Sequence, residues 1–190
     1  MTVTARPTHA AQHPGAPSEL TAPADPGSVP TDFRTAMSTL PAGVCVITTA
    51  DPAGVPSGLT VSTGFSVSVA PPLFGLCVAL GARTLPVLLE RGAFVANILH
   101  GDAQDAAAVF ASRASDKFER AGFTSTSSGL PWLAQHAAHA VECTITSATE
   151  AGDHLLVIGA VQAVHTNPTP AEAHMLAYGD RAFHRLPRSH

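Results

Sequence analysis

Two long alternating runs, residues 140–149 and 154–165, are separated only by Ala151-Gly152-Asp153 and its flank. No other feature limits the possible folds as strongly. Both arms are rich in β-branched residues and alternate in polarity, so they read as two strands of a long hairpin with a tight turn between them. A second hairpin is expected from residues 44–49 and the run through Leu59 to Ser62, joined by the turn Asp51-Pro52-Ala53-Gly54. Phe65, Val67 and Val69 alternate with Ser66 and Ser68 as a strand with one apolar face, and residues 73–80, apolar apart from Gly75, read as a strand covered on both sides. Residues 94–99 and a last short segment, 181–186, complete about seven strands. Hairpin links between them point to a mainly β fold, a closed or nearly closed antiparallel barrel.

Short helices fit between the strands. Thr31 or Asp32 can cap one carrying Phe33, Ala36, Met37 and Leu40, a stripe expected to lie on a core and stopped by Pro41. Thr84 can cap another bearing Leu85, Leu88 and Leu89 that ends at Gly92. Asp102 is placed to cap a third through Ala106, Val109 and Phe110, and Ser115-Asp116-Lys117-Phe118 opens a short turn of helix. Residues 122–131 read as loop. Residues 1–30 hold six prolines among Ala, Thr and Ser with little to bury, so they are expected to be a disordered leader before one domain over 31–190.

Only 13% of the 190 residues are charged and the formal net charge is −4, which leaves no basic surface for a nucleic-acid backbone or an anionic membrane. No apolar run reaches the roughly 20 residues of a membrane helix, and a cytoplasmic protein is expected. Cys45, Cys77 and Cys143 are odd in number, far apart and set in β-like runs, the pattern of reduced structural thiols. His9 and His13 read as solvated, and His136 and His139 as a surface pair, since no further metal ligand is placed near them.

The Rossmann, P-loop and nucleophile-elbow glycine patterns are absent. Phosphate chemistry has other donors available. Arg83 offers a forked guanidinium, Thr84 a hydroxyl at a helix N-terminus, and Thr60, Ser62 and Thr63 further hydroxyls from a neighbouring strand. Those residues alone leave open whether Arg83 is merely a solvated loop residue and Ser62 and Thr63 merely face water. Gly152-Asp153-His154 is likewise either a plain turn or a histidine at a barrel rim.

In series, the motifs Phe33-Arg34-x-Ala36-Met37, Pro41-Ala42-Gly43-Val44, Gly58 to Thr63, Ser66-Val67-Ser68-x-x-Pro71-Pro72, Arg83-Thr84, Asn97, Asp116-Lys117-Phe118, Glu142-Cys143 and Gly152-Asp153-His154 resemble the flavin reductase family of two-component monooxygenase systems. The resemblance spans residues 32–186. It implies an antiparallel split β-barrel with short peripheral helices, a homodimer that oxidises NADH or NADPH, reduces FMN or FAD and passes the reduced flavin to a separate flavin-dependent monooxygenase. It further implies that Thr60, Val61, Ser62 and Thr63, with Ala82, Arg83 and Thr84, hold the flavin phosphate, and that Pro41, Ala42 and Gly43 approach the ring or ribityl chain. Asn97 would orient the flavin or its own strand, Lys117 and Phe118 would close over the cofactor, and His154 would stand near the two reacting rings as a positioning or electrostatic group.

A nicotinamide that stacks on a bound flavin needs no Rossmann fingerprint, so the missing glycine motif is consistent with this reading. The chain departs from the family by carrying Gly64 before Phe65 where an aromatic directly follows the Ser/Thr pair. That shift turns the ring to the opposite face unless a bulge compensates, and Gly64 is a residue type that permits one. Two other functions fit the same barrel: a flavoprotein that retains its flavin and acts on an organic substrate, and a non-catalytic flavin-binding module. No nucleotide-specific motif separates FMN from FAD or NADH from NADPH.

Overall fold

The computed structural model describes residues 31–166 and 174–187; the expected leader, with His9 and His13, lies outside the described residues. In chain order the elements are α1 (Thr31–Ser38), β1 (Ala42–Gly43), β2 (Cys45–Ala50), β3 (Pro56–Val61), β4 (Phe65–Val69), β5 (Pro72–Ala79), α2 (Thr84–Arg91), β6 (Ala93–Leu99), α3 (Gln104–Ala111), α4 (Lys117–Ala121), β7 (Thr124–Ser125), β8 (Pro131–Trp132), β9 (Ala137–Ala151), β10 (His154–Thr166), β11 (His174–Gly179) and β12 (Ala182–Pro187). Seven strands form one sheet in the order β3-β2-β6-β9-β10-β5-β4, and β1-β11-β12 form a smaller one. Every pairing is antiparallel.

The β9–β10 hairpin forms the middle of the large sheet, with His154 opposite Ala151 across a turn at Gly152, whose φ is 66°. The sheet curls until its far ends meet. Just past β3, the Thr63 hydroxyl donates to the Cys77 carbonyl (2.9 Å) and accepts from the Cys77 amide (3.1 Å), using the part of β5 that β4 leaves unpaired. This is the expected mainly β, nearly closed antiparallel barrel. Its interior is filled by Ile47, Leu76, Val78, Leu88, Phe94 and Val157. A second cluster, with Val44, Val46, Leu99, Phe110 and Leu176, packs α3 between the large sheet and β11.

Several local expectations need correction. The apolar stripe of α1 does not lie on a core: Phe33, Met37 and Leu40 are 56%, 47% and 62% exposed. The helix stands outside both sheets, with Ser38 held only at its end, where its carbonyl accepts from the Asp180 amide. β4 is an edge strand, and Phe65, Val67 and Val69 are all exposed. Phe65 and Val67 instead lie over Gly75, where a β-carbon would come within 2.5 Å and 2.8 Å of them, so β5 is covered there by an edge rather than by a second layer. The register shift in this ribbon falls between Ser66 and Ser68, not at Gly64.

Thr84 is the first helical residue of α2, and Arg83 takes the cap position without a side-chain cap bond. Asp102 does not cap α3 either; Ala103 holds that position, and Asp102 pairs with Arg185 at 2.9 Å. β7 and β8 interrupt the expected 122–131 loop with a two-residue pairing. β11 has no sequence signal because residues 174–179 contain no Val, Ile or Thr, and its place in a sheet comes from pairing with β1 and β12.

Candidate functional site

A cleft of about 730 Å³ opens between β3 and the start of α2 on one side and the C-terminal end of α3 with the segment leading into α4 on the other. Thr60, Ala82, Arg83, Thr84, Lys117 and Phe118 line it, six of the residues expected to hold a cofactor. Gly58 lets the two walls approach. A β-carbon there would stand 2.9 Å from the Phe110 ring and 3.0 Å from the Ile47 carbonyl, so only glycine allows Phe110 to lie against β3.

Lys117 ties these walls together. Its ammonium donates to the Gly58 carbonyl (3.3 Å) and the Phe110 carbonyl (3.0 Å), one on β3 and one at the open C-terminal end of α3, where carbonyls lack helical partners. Burial, and then the nearby positive charge of Arg83, hold its pKa below the usual lysine value. Phe118 packs edge-on against Phe110 at 5.0 Å and so fixes the aromatic wall. Arg83 reaches across the cleft, donating from Nη2 to the Arg113 carbonyl at 2.7 Å.

The α2 end is poorer in free amides than an ordinary helix start. The Leu85 amide is spent on the Ala82 carbonyl at 3.0 Å, and Pro86 has no N–H to offer. Thr84 Oγ1 accepts from Ser57 Oγ at 3.1 Å, which leaves its own proton free to donate. Attraction for an anion therefore rests mainly on side-chain cations. Three of them, Arg83, Arg113 and Lys117, line the cleft with the hydroxyls of Ser57, Thr60, Ser112 and Ser115, and no acidic residue is among its described lining. This donor set fits a phosphate ester.

A second cavity of about 480 Å³ adjoins the first, sharing Thr60, Ala111 and Ser112 with it. Its wall is mostly apolar: Val44, Val61, Ala108, Tyr178 and Phe183, with Ser62 at the edge. Tyr178 and Phe183 meet edge-to-face at 5.2 Å. A planar ring suits this cavity, and a phosphate the neighbouring cleft, so together the two fit a ring joined to a phosphate, as in a flavin nucleotide. Ala42 and Gly43 pair with Tyr178 and Ala177, so the segment from Pro41 to Gly43 backs this aromatic wall without lining either cavity.

Four expected residues lie elsewhere or act otherwise. The Thr60 hydroxyl lines the cleft yet donates to the Ala107 carbonyl at 2.7 Å, fastening β3 to α3. Thr63 closes the barrel through Cys77. Asn97 is fully buried in the sheet, with its amide donating to Val46 and Thr48 and its carbonyl accepting from the Leu133 amide, away from both cavities. His154 pairs with Ala79, near the end of the strand that runs into the Gly81–Thr84 loop, and does not line the cleft. Its Nδ1 lies 2.6 Å from Asp153 Oδ1, and the hydrogen bond with His154 holds the Asp153 carboxyl below the usual range.

Ser57, Phe110, Arg113, Tyr178 and Phe183 were not anticipated in the site. The signal for Arg113 was present in Ser112-Arg113-Ala114-Ser115, directly before Asp116-Lys117-Phe118. Phe65 lines neither cavity. Among the described residues no group of side chains could hold a metal ion, and His136 and His139 have separate partners in the Ala121 carbonyl and the Thr166 hydroxyl.

The model of the flavin reductase like domain matches residues 37–187. A flavin reductase (NADH) of Kitasatospora aureofaciens is 41% identical over 175 residues, 90% of this chain and 91% of that protein. The actinorhodin polyketide dimerase of Streptomyces coelicolor is 40% identical over 154 residues, 81% of this chain and 85% of that protein. Among solved structures, the NADH:FAD oxidoreductase SgcE6 of Streptomyces globisporus C-1027, in complex with NAD and FAD fragments, superposes with a TM-score of 0.75 at 28% identity, covering 87% of this chain and 97% of that one. With a curled antiparallel barrel and a cation-lined cleft beside a ring-sized apolar cavity, the chain belongs to the flavin reductase family.

Proposed function

We propose that this protein oxidises NADH or NADPH and reduces FMN or FAD, and that it passes the reduced flavin to a separate flavin-dependent monooxygenase. The junction of a cationic cleft with an aromatic-edged cavity carries this reading. Bound flavin supplies the hydride acceptor and the nicotinamide the donor; the protein's part is binding, alignment and exclusion of water. Arg83 and Thr84 hold the phosphate end, while Val61, Tyr178 and Phe183 present an apolar surface to the ring. Lys117 keeps the cleft walls in register. His154, oriented by Asp153, acts from the rim as a positioning group.

Residues 31–190 form the catalytic domain in this reading, acting in the cytoplasm as a homodimer. The exposed Phe33, Met37 and Leu40 of α1 and the uncovered β4 edge support the dimer, because apolar faces of this kind are commonly interaction surfaces. Among the described residues no helix is long and apolar enough to cross a membrane. The decisive measurement is NAD(P)H absorbance with purified protein and either flavin. Loss of absorbance that requires added FMN or FAD is expected, and none with any of the four nucleotide pairs would sink the proposal.

A second reading has the flavin retained while the protein acts on an organic substrate. The 40% identity to a polyketide dimerase supports it. Flavin that co-elutes with the protein through gel filtration and exchanges slowly would favour retention; flavin lost to the buffer favours the reductase.

A further inference from the structure

We infer that the cationic cleft is built for a flavin carrying a pyrophosphate and a second nucleoside, so that FAD is bound in preference to FMN, with Arg113 on the second phosphate. The inference rests on the flavin reading of the site. Its starting observation is a mismatch of size. The ring-sized cavity is about 480 Å³, while the cleft that would take the rest of the nucleotide is about 730 Å³. A ribityl chain and one phosphate leave much of that larger space to water.

The cations are arranged for more than one phosphate. Lys117 has committed two of its three ammonium protons to carbonyls, so it contributes its field and at most one direct bond. Arg83 stands at the start of α2 beside Thr84, on the β3 side of the cleft, and is the first phosphate's partner. Arg113 is on the opposite wall, between Ser112 and Ser115, and its backbone is fixed there because its carbonyl accepts from Arg83. Its own guanidinium is exposed and has no hydrogen-bond or ion-pair partner among the described residues. Arg83, with guanidinium N–H groups left after its one bond to the Arg113 carbonyl, and Arg113 bring two forked cations to one cleft, which matches the two linked phosphates of a dinucleotide.

Isothermal titration calorimetry of the full-length protein with FAD and with FMN tests this. FAD is expected to bind at least about tenfold more tightly, and Arg113→Gln to raise its Kd about tenfold, the scale of one charge-assisted hydrogen bond, while moving the FMN Kd by less than about twofold. Arg113→Lys, which keeps the charge and loses the fork, is expected to fall between and serves if the glutamine variant misfolds. Equal affinity for the two flavins, tighter FMN binding, no effect of either variant, or equal weakening of both flavins overturns the inference and leaves the flavin site standing. Absence of binding by both flavins instead overturns the reading on which it rests.

Discussion

Asn97 separates a structural role from a cofactor role, and its substitution by alanine gives a prediction with a calculable size. Its side chain is fully buried, donates to the Val46 carbonyl at 2.9 Å and the Thr48 hydroxyl at 3.0 Å, and accepts from the Leu133 amide at 2.8 Å. These bonds join β6 to β2 and to the segment just after β8. Asn97→Ala leaves the Leu133 N–H and the Val46 carbonyl short of partners in the interior, at about 1–3 kcal/mol for each unsatisfied group. With partial relaxation allowed for, the total is about 3–4 kcal/mol. In a domain of this size each kcal/mol lowers Tm by about 2–4 °C, so the loss is about 6–16 °C. The melt is to be run without flavin, since a ligand that binds only the folded state would mask part of the change. Flavin affinity, measured below the variant's melting range, should stay within about twofold of the parent. A Tm change under about 2 °C together with a tenfold rise in flavin Kd would refute this reasoning and place Asn97 at the cofactor.

Two further perturbations probe buried groups outside the cleft. Burial opposes ionisation of Glu142, but hydrogen bonds from Ser128, His165 and Thr126 outweigh it and bring its pKa below the ordinary 4.5. The unfolded chain therefore takes up this proton first as pH falls, so the stabilising contribution is whole above about pH 4.5 and disappears through the lower folded value. In urea melts from pH 7 to pH 3, Glu142→Gln should flatten part of the acid-side loss, and an unchanged slope would count against the assignment. Burial also pushes the Cys45 and Cys143 thiols up to about 12, whereas Cys77 is only half-buried. Thiol labelling of the native protein should find one fast cysteine, Cys77, with the other two reacting only after denaturation; fast labelling of Cys45 would contradict the packing.

The hairpins were legible because strand pairing between neighbours is written locally. Alternation in residues 154–165 and a glycine at position 152 suffice to predict β9 against β10, and Asp51 to Gly54 to predict β2 against β3. Burial was less legible. The stripe on α1 has ordinary core periodicity, yet periodicity marks a face that needs a partner without saying that the same chain supplies it. β11 went unseen for a related reason: with Met, Leu, Ala and Tyr in place of β-branched residues, its strand state depends on what lies beside it.

The site divides along the same line. Arg83 and Thr84 could be named because they stand together at a loop-to-helix boundary, but the charge balance around them could not. It depends on Arg83 reaching the Arg113 carbonyl thirty residues away and on Lys117 spanning from α4 back to Gly58. One part was readable and carries a lesson of its own: Pro86, two residues into the helix beyond Thr84, already removes an amide from the end that was expected to hold the phosphate. A helix start weakened in this way must be helped by side chains from elsewhere in the chain. The segment from Ser112 to Lys117 supplies that help by holding the Arg83 guanidinium through the Arg113 carbonyl and using a lysine to keep the distance between the walls. The phosphate end of this site is therefore a tertiary construction, and a substitution at Lys117 should disturb it as much as one at Arg83 itself.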